Sequence, residues 1–277
     1  MKEYFGKMGM IDGKVIELSE IIQLPKENFS VYEIVRIEQS VPLFLDAHLK
    51  RLFHSLTLEN LIIDESHDDL NEGVNRLIEN NEYSSGKIKF VFYFPNYPQS
   101  QDYHYLIYFT EPVFPEKVQY QEGVEVGICQ AVRNDPNAKV MNTAARKLAD
   151  QRIQETNVFE VLLIDNEGYI TEGSRSNVFF VFKSQLVTPP DEAVLQGIAR
   201  KNVIEICQEK DIPLEIRKVH QSELQQAESI FLTGTSLKVL PVKSVEQISY
   251  KVESELLVLL MTAYDHKIDK YINDNVK

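Results

Sequence analysis

The chain has 277 residues, with 29 basic against 42 acidic side chains and a formal net charge of −13. Hydrophobic residues make up 43% and charged residues 26%, which excludes disordered, collagen-like and coiled-coil classes. An acidic surface field repels phosphate backbones, so we expect no nucleic-acid partner. The two cysteines cannot form a disulfide framework, and the longest apolar run, Leu256–Met261, is too short to span a bilayer. We therefore expect a cytoplasmic protein with no membrane partner.

The first part of the chain predicts mixed strands and helices. Apolar residues at helical spacing begin after Asp46, which we predict to be a helix N-cap. In chain order, the pattern predicts a hairpin turn at Asp12-Gly13, a strand at Ser30–Glu38, helices from Asp46 and through Leu70–Ile78, and strands at Lys87–Phe94 and Tyr103–Phe109.

Two prolines in Glu111–Lys117 indicate a linker, which predicts domains at 1–114 and 115–277. Strands and helices alternate irregularly beyond it, which favours an α+β fold over a doubly wound parallel sheet. The elements expected here are strands at Val124–Cys129, Glu160–Ile164, Tyr169–Thr171, Asn177–Phe182, Ile230–Leu232 and Leu237–Val242, and helices at Thr143–Glu155, Ile198–Gln208 and Glu253–Lys270.

Common catalytic motifs are absent from the sequence. It has no GxGxxG, GxxxxGK[ST], HExxH or GxSxG, which removes the usual dinucleotide, nucleoside-triphosphate, zinc-protease and α/β-hydrolase interpretations. None of the six histidines is paired at a metal-ligand spacing, so we expect no metal.

Five less common features could carry chemistry, and each has a simpler structural interpretation. Glu172 follows a strand and is either a solvated turn residue or a carboxylate aimed at a basic ring nitrogen. Thr233–Ser236 and Gln196–Ile198 offer either ordinary turns or backbone amides for an anion. Lys139 and Arg51 are either surface charges or an amine nucleophile and a phosphate ligand.

Together, an amine, a carboxylate, two amide loops and an arginine are the groups needed to hold pyridoxal phosphate. The sequence resembles the fold-type IV pyridoxal-phosphate enzymes, which include branched-chain and D-amino-acid aminotransferases and aminodeoxychorismate lyase. The segments that carry the resemblance keep the family's order: Val31–Arg36, His48–Leu52 (HxxRL), Lys139 with Asn142, Glu160–Phe179, Leu195–Arg200 and Phe231–Ser236.

This resemblance implies a small N-terminal α/β domain and a larger C-terminal barrel-like domain, with pyridoxal 5'-phosphate in the cleft between them and a homodimeric assembly. It implies that Lys139 is the catalytic residue that bonds to the cofactor. Further cofactor ligands would be Arg51, Glu172, Asn177, Gly197, Ile198, Ala199 and Thr235, and the substrate ligands Tyr32, Arg36, Thr235 and Ser236.

The activity implied is transfer of an amino group from an amino acid to a 2-oxo acid, of branched-chain or D-amino-acid type. Two alternatives remain: a lyase of the aminodeoxychorismate type that releases pyruvate, and a non-catalytic scaffold of the same fold. Three departures from the family concern the substrate side and one cofactor loop. Leu24–Val31 lacks a DRG…GDG run, Phe94–Gln101 lacks an Arg-Gly turn, and Ala199 replaces a threonine.

Overall fold

Residues 4–20, 29–141, 143–183 and 185–276 are described by the structure, a computed structural model of the chain. Their contacts form two compact units. Unit 1 comprises Met1–Val113, Ala138–Met141 and Ile268–Lys277, and unit 2 comprises Phe114–Asn137 and Asn142–Lys267. The short segment that contains Lys139 therefore groups with unit 1. The division into domains at 1–114 and 115–277 stays a prediction.

Unit 1 is built on a six-stranded antiparallel sheet in the order β2-β1-β6-β5-β3-β4. The predicted turn at Asp12-Gly13 joins the first two strands, and the three predicted longer strands are present with slightly different ends. The strands are β1 (Phe5–Ile11), β2 (Lys14–Glu17), β3 (Phe29–Glu38), β4 (Val41–Pro42), β5 (Ser85–Phe94) and β6 (His104–Thr110).

Two helices, α1 (Leu45–Leu58) and α2 (His67–Asn81), cover one face of this sheet. Their leucines pack on the alternate residues of β3 and β5 that point inward, among them Val35 and Phe90. The predicted N-cap of α1 is wrong: Phe44, with φ 53°, precedes the helix, and Asp46 lies in its first turn. Asp46 instead pairs with Lys50 at 2.8 Å, one helical turn further on.

The opposite face of the unit 1 sheet combines aromatic and cationic side chains. Residues directly across an antiparallel pair share a face, and β3 pairs Ile34 with Lys89 and Arg36 with Lys87. Val91, Tyr93, Leu106 and Tyr108 form a buried cluster on this side, against which Tyr32 packs. This face is therefore the one that carries the predicted substrate residues of β3.

Unit 2 is built on a ten-stranded mixed sheet in the order β12-β11-β10-β14-β15-β7-β8-β9-β13, with β16 beside β15. Three pairs are parallel (β11 with β12, β15 with β7, β7 with β8), and the others are antiparallel. The strands are β7 (Val124–Gln130), β8 (Glu160–Ile164), β9 (Tyr169–Gly173), β10 (Asn177–Phe182), β11 (Gln185–Thr188), β12 (Leu214–Ile216), β13 (Val219–His220), β14 (Ser229–Gly234), β15 (Lys238–Val245) and β16 (Ile248–Ser249).

The remaining helices are α3 (Lys117–Glu122), α4 (Ala144–Thr156), α5 (Ile198–Glu209) and α6 (Glu255–Asn275). Helix α5 begins at the predicted residue, whereas α4 begins one residue later than predicted, because the side chain of Thr143 caps it by accepting from the backbone N–H of Arg146. The separate sheets and interspersed helices confirm the predicted α+β fold. Within the described ranges, no helix has both the length and the apolar character to cross a membrane.

Candidate functional site

The backbone around Lys139 is fixed against strand β3 and helix α1. The backbone N–H of Tyr32 donates to the carbonyl oxygen of Lys139 (3.0 Å), and that of Met141 donates to Ser30 (2.9 Å). Val140 pairs with Val31 as an isolated antiparallel bridge. The backbone N–H of Lys139 also donates to Oγ of the buried Ser55 (3.1 Å). The segment that contains Lys139 is distant in sequence from β3 and α1, and these contacts hold it in unit 1.

The half-buried side chain of Lys139 lies over an aromatic ring. Its Nζ is 4.8 Å from the ring centroid of Tyr32, within the distance of a cation–π contact. Nζ of Lys89 is 5.8 Å from the centroid of the same ring and 5.8 Å from that of Tyr108. Two ammonium groups near one phenol produce a local positive potential within an acidic protein.

Arg51 is buried on α1 and forms a bidentate ion pair with Glu33 of β3. Its Nε donates to Oε2 (2.8 Å) and its Nη2 to Oε1 (2.7 Å) of that carboxylate. Nδ1 of the buried His48 lies 3.2 Å from Oε1. The HxxRL pattern thus places the histidine and the arginine on one side of the helix, around a carboxylate that points into the core.

The pKa values of Glu33 and His48 are both shifted downward, for different reasons. Burial alone raises the pKa of Glu33, but Arg51 and His48 together hold it well below its ordinary value. Burial lowers the pKa of His48, helped by Arg51 and Lys139 and opposed by Glu33. The group is therefore an ionised carboxylate between a guanidinium and a neutral imidazole.

The predicted substrate arginine, Arg36, is half-buried on the face of β3 that also carries Tyr32. Its Nε donates to Oε2 of Glu38, two residues further along the same strand, at 2.9 Å. Because alternate residues of a strand share a face, Tyr32, Arg36 and Glu38 all lie on one side of the sheet.

Glu172 lies inside β9 rather than in a turn after it, and only 4% of its surface is exposed. The interpretation as a solvated turn glutamate is therefore wrong. Nη1 of Arg133 donates to Oε1 (2.7 Å), and the backbone N–H of Leu195 (3.1 Å) and Nδ2 of Asn177 (3.5 Å) donate to Oε2. Several donors from different segments fix the direction of this carboxylate.

Asn177 begins β10 and connects Glu172 to the start of helix α5. Its Nδ2 donates to the carbonyl oxygen of Leu195 (2.8 Å). Its Oδ1 approaches Gly197 so closely that a Cβ there would overlap it, which explains the glycine. Gly197 is the N-cap of α5 and supplies no capping side chain. The amides of the first turn, including those of Ile198 and the buried Ala199, are of the kind that attract an anion.

The loop between β14 and β15 lies beside Asn177. Thr233 pairs directly with Asn177 across the strands, so both side chains lie on one face. Oγ1 of Thr233 is buried and has no hydrogen-bond partner among the described residues. The turn that follows carries Thr235 and Ser236, both half-buried, and closes with a hydrogen bond from Leu237 to Gly234 (3.1 Å).

The structure groups the predicted residues into two sets, one in each unit. Lys139, Arg51, Tyr32 and Arg36 are in unit 1, and Glu172 is in unit 2 with the other predicted ligands, Asn177, Gly197, Ile198, Ala199, Thr235 and Ser236. Asn142 and most of the Leu24–Val31 segment lie outside the described residues.

Sequence reasoning missed three residues that hold these groups: Glu33, Ser55 and Arg133. Glu33 had a detectable signal, because an acidic residue at an inward position of an alternating strand requires a buried partner. Ser55 and Arg133 had none, since each acts on a residue far away in the sequence.

Comparison with known proteins identifies the family. The sequence profile of amino-transferase class IV matches residues 30–245. A probable branched-chain-amino-acid aminotransferase of Thermotoga maritima is 32% identical over 80% of this chain and 79% of its own length. The D-alanine aminotransferase of Bacillus licheniformis is 26% identical over 86% of this chain and 88% of its own length.

Solved structures share the fold across nearly the whole chain. A putative branched-chain amino acid aminotransferase from Thermotoga maritima superposes with a TM-score of 0.79 at 27% identity, covering 97% of this chain and 96% of that one. The branched-chain amino acid aminotransferase from Escherichia coli gives a TM-score of 0.84 at 22% identity, with 95% of each chain covered. A further branched-chain enzyme, solved with pyridoxamine 5'-phosphate, gives a TM-score of 0.88 at 21% identity, with 98% of each chain covered.

The groups present fit the cofactor of this family. The described residues include a lysine amine, a buried guanidinium, a buried carboxylate and a helix that begins after a glycine, and among them the hydroxyl of Thr233 has no hydrogen-bond partner. The match over residues 30–245 and these groups lead to one conclusion. The chain belongs to the class IV aminotransferases, pyridoxal 5'-phosphate enzymes that move an amino group from an amino acid to a 2-oxo acid.

Proposed function

We propose that this enzyme transfers amino groups between branched-chain amino acids and their 2-oxo acids. One observation carries the proposal: the Thermotoga maritima relative at 32% identity over 80% of this chain is named a probable branched-chain-amino-acid aminotransferase.

Lys139 is the proposed catalytic residue. The cofactor, when bound, supplies an electron-accepting ring that stabilises negative charge at the substrate Cα. Lys139 would hold the cofactor through its Nζ, and once released that amine would act as the general acid/base that moves the proton of the substrate Cα. Tyr32 and Ser55 hold the backbone of Lys139, and the ring of Tyr32 lies 4.8 Å from its Nζ.

Glu172 is the proposed partner of the pyridine nitrogen. A buried carboxylate favours the protonated form of a basic ring nitrogen, which makes the ring a stronger electron acceptor. Asn177 and the backbone of Leu195 orient it. The absence of bulk water around a side chain exposed by 4% strengthens this pairing.

Arg51, two backbone amides and one hydroxyl are the proposed ligands of the phosphate. Arg51 offers a guanidinium already oriented by Glu33, and a charge-assisted contact of that kind is strong and directional. Gly197 is the N-cap of α5, and the backbone amides of Ile198 and Ala199 follow it in the first turn. These amides and the hydroxyl of Thr235 are suited to bind phosphate oxygens. Ala199 contributes its backbone amide alone.

The substrate carboxylate has proposed ligands on the aromatic face of β3 and in the β14–β15 turn. Tyr32 and Arg36 are on the sheet, and the amides of Thr235 and Ser236 are in the turn. Lys89 adds a second ammonium group beside the ring of Tyr32, which further favours an anion there.

A second candidate is transamination of D-amino acids. The D-alanine aminotransferase of Bacillus licheniformis, at 26% identity over 86% of this chain, favours it. Matched pairs of L- and D-leucine, valine and alanine, each added to the holoenzyme while cofactor absorbance is followed, separate the two. Conversion by the L-branched set supports the first proposal, and conversion by D-alanine alone overturns it.

Attachment at Lys139 is tested separately. Borohydride reduction of the holoenzyme should place the cofactor on a peptide that contains Lys139. The variant Lys139→Ala should lose this label, and Lys147→Ala, which removes an exposed lysine of α4, should keep it. Label on any other lysine contradicts the assignment.

The assembly and compartment are also proposed. We infer a homodimer in the cytoplasm, supported by the resemblance to fold-type IV enzymes, by the exposed apolar side chains of Val258 and Leu259 on α6, and by two free buried cysteines. Light scattering coupled to gel filtration measures the assembly, and a monomeric mass contradicts it.

A further inference from the structure

We propose that Arg133 is a positioning residue for the amino-transfer reaction, which holds the carboxylate of Glu172 in the direction that meets the pyridine nitrogen. This inference rests on the role proposed above for Glu172 and extends it to a residue that the sequence motifs do not include. The observations that carry it are the geometry, burial and charge of one ion pair in unit 2.

The pair is short and shielded from solvent. Nη1 of Arg133 is 2.7 Å from Oε1 of Glu172, and the two side chains are 17% and 5% exposed. Arg133 belongs to the loop between β7 and α4, whereas Glu172 belongs to β9, 39 positions later in the chain. A charge-assisted hydrogen bond in such surroundings is stronger than one in water.

The two carboxylate oxygens are held by different segments. Arg133 donates to Oε1, whereas Leu195 and Asn177 donate to Oε2. Rotation of the carboxylate would break contacts on both oxygens at once. The neutral donors at Oε2 orient the carboxylate but bring no formal charge. Among these three donors, the positive charge is that of Arg133.

This arrangement has a consequence for the reaction. A carboxylate that turns away from the ring nitrogen still fills its space, so the fold survives, but the nitrogen loses its charged partner. Loss of Arg133 should therefore change the protonation of the bound cofactor more than it changes the stability of the protein. An ion pair that serves only the fold has the opposite signature.

The test is a double-mutant cycle on the holoenzyme loaded with ring-¹⁵N pyridoxal phosphate. The variants are Arg133→Gln, Glu172→Gln and the double variant, with Arg133→Lys as the conservative replacement. Arg152→Gln, which removes a more exposed ion pair of unit 2 with Glu246, is the matched control. The readouts are the ¹⁵N shift of the ring, the single-turnover rate with a competent amino donor, and the melting temperature.

Arg133→Gln should slow the single turnover by roughly ten- to hundredfold, the scale of one charge-assisted hydrogen bond, and move the ring signal toward the neutral nitrogen. Arg133→Lys should restore part of both. The double variant should be no slower than Glu172→Gln within about a factor of two, because a residue that acts through Glu172 has no effect once that charge is gone. Arg152→Gln should resemble the parent.

Three outcomes overturn the inference. A lower melting temperature with an unchanged ring signal makes Arg133 structural, and additive losses in the double variant show that Arg133 contacts the ligand itself. A parent-like ring signal in Glu172→Gln removes the proposed role of Glu172 as well, which distinguishes that failure from the failure of Arg133 alone. Should Arg133→Gln not fold, Arg133→Met decides: it fills similar space without the charge, and a parent-like ring signal and rate in that variant contradict the role.

Discussion

Two buried ion pairs, one in each unit, have the same chemistry and opposite proposed functions. In unit 1, Arg51 makes hydrogen bonds of 2.8 and 2.7 Å to Glu33, and the arginine is the proposed ligand for phosphate. In unit 2, Arg133 makes a hydrogen bond of 2.7 Å to Glu172, and the carboxylate is the proposed ligand for the ring nitrogen. In each pair, one residue is the proposed cofactor ligand and its partner orients it through these hydrogen bonds.

The difference between the two pairs predicts which property of the protein a substitution will change. Glu33 is completely buried, and because its other partners, the backbone N–H of Ile34 (2.8 Å) and the neutral imidazole of His48, bring no formal charge, its own charge depends on Arg51 for stability. Glu172 has a backbone amide and an asparagine amide in addition to Arg133, so it retains partners when the arginine is lost. We therefore expect damage to the first pair to affect folding, and damage to the second to affect catalysis.

The largest expected effect is that of Glu33→Gln. It leaves the guanidinium of Arg51 buried without its counter-charge, which costs on the order of 3–5 kcal/mol of unfolding free energy. Urea titration measures the loss. Asp46→Asn, which removes an exposed pair with Lys50 on the same helix, is the control and should stay within about 0.5 kcal/mol of the parent. Equal behaviour of the two variants would show that burial does not distinguish these pairs.

Removing both charges of the unit 1 pair should separate folding from cofactor binding. Arg51→Ala alone leaves Glu33 as an unpaired buried anion, so its cofactor affinity cannot be measured cleanly. The double variant Glu33→Gln/Arg51→Met avoids both unpaired charges and should recover much of the lost stability. It should nevertheless bind pyridoxal phosphate roughly ten- to hundredfold more weakly, the scale of one charge-assisted contact. Parent-like affinity, measured by titration of the apoenzyme, would remove Arg51 from the phosphate site.

The same comparison shows how much the sequence could predict. The resemblance of His48–Leu52 to the HxxRL motif predicted Arg51 as a cofactor ligand, and that of Val31–Arg36 predicted Tyr32 and Arg36 as substrate ligands; these roles stay predictions. The partners of those residues were not predictable in this way. Glu33 lies on an adjacent element, and Arg133 lies 39 positions from Glu172, so only the folded chain brings them together.

Errors in the predicted elements have a similar origin. Strand β9 extends to Gly173 because its hydrogen bonds with β8 continue past Thr171, a tertiary effect that placed Glu172 in a strand rather than a turn. Phe44 precedes α1 with φ 53°, and its ring contacts Tyr271 at a centroid distance of 4.6 Å. That packing, not a side-chain cap, accompanies the helix start, and no local pattern indicates it.

Acid should weaken the unit 1 pair through His48. Its pKa is lowered by burial, so below about pH 6.5 the unfolded chain binds a proton that the folded chain resists. Stability should therefore fall as pH decreases through this range, by at most about 1.4 kcal/mol per pH unit. His48→Gln should flatten this part of the profile, measured by urea titration at several pH values. His104→Gln, which removes an exposed histidine beside Asp12, should leave the slope intact, and an unchanged slope in His48→Gln would contradict the assignment.

The smallest expected effect, that of Ser55→Ala, tests whether the lysine depends on the same helix as Arg51. Oγ of Ser55 donates to the carbonyl oxygen of Arg51 (2.9 Å) and accepts from the backbone N–H of Lys139 (3.1 Å). The variant leaves that N–H without this acceptor, which costs about 1 kcal/mol.

Thr57→Ala is a close control, because Oγ1 of Thr57 makes the same contact one turn back, to Phe53 (2.9 Å), on an exposed part of α1. Both variants lose a hydroxyl bonded to the preceding turn, but only Ser55→Ala loses a contact with the Lys139 segment. Melting temperature and the rate at which borohydride fixes the cofactor to Lys139 should both fall in Ser55→Ala and remain near the parent in Thr57→Ala. A parent-like labelling rate in both would mean that β3 alone positions the lysine, through its hydrogen bonds at Tyr32 and Ser30.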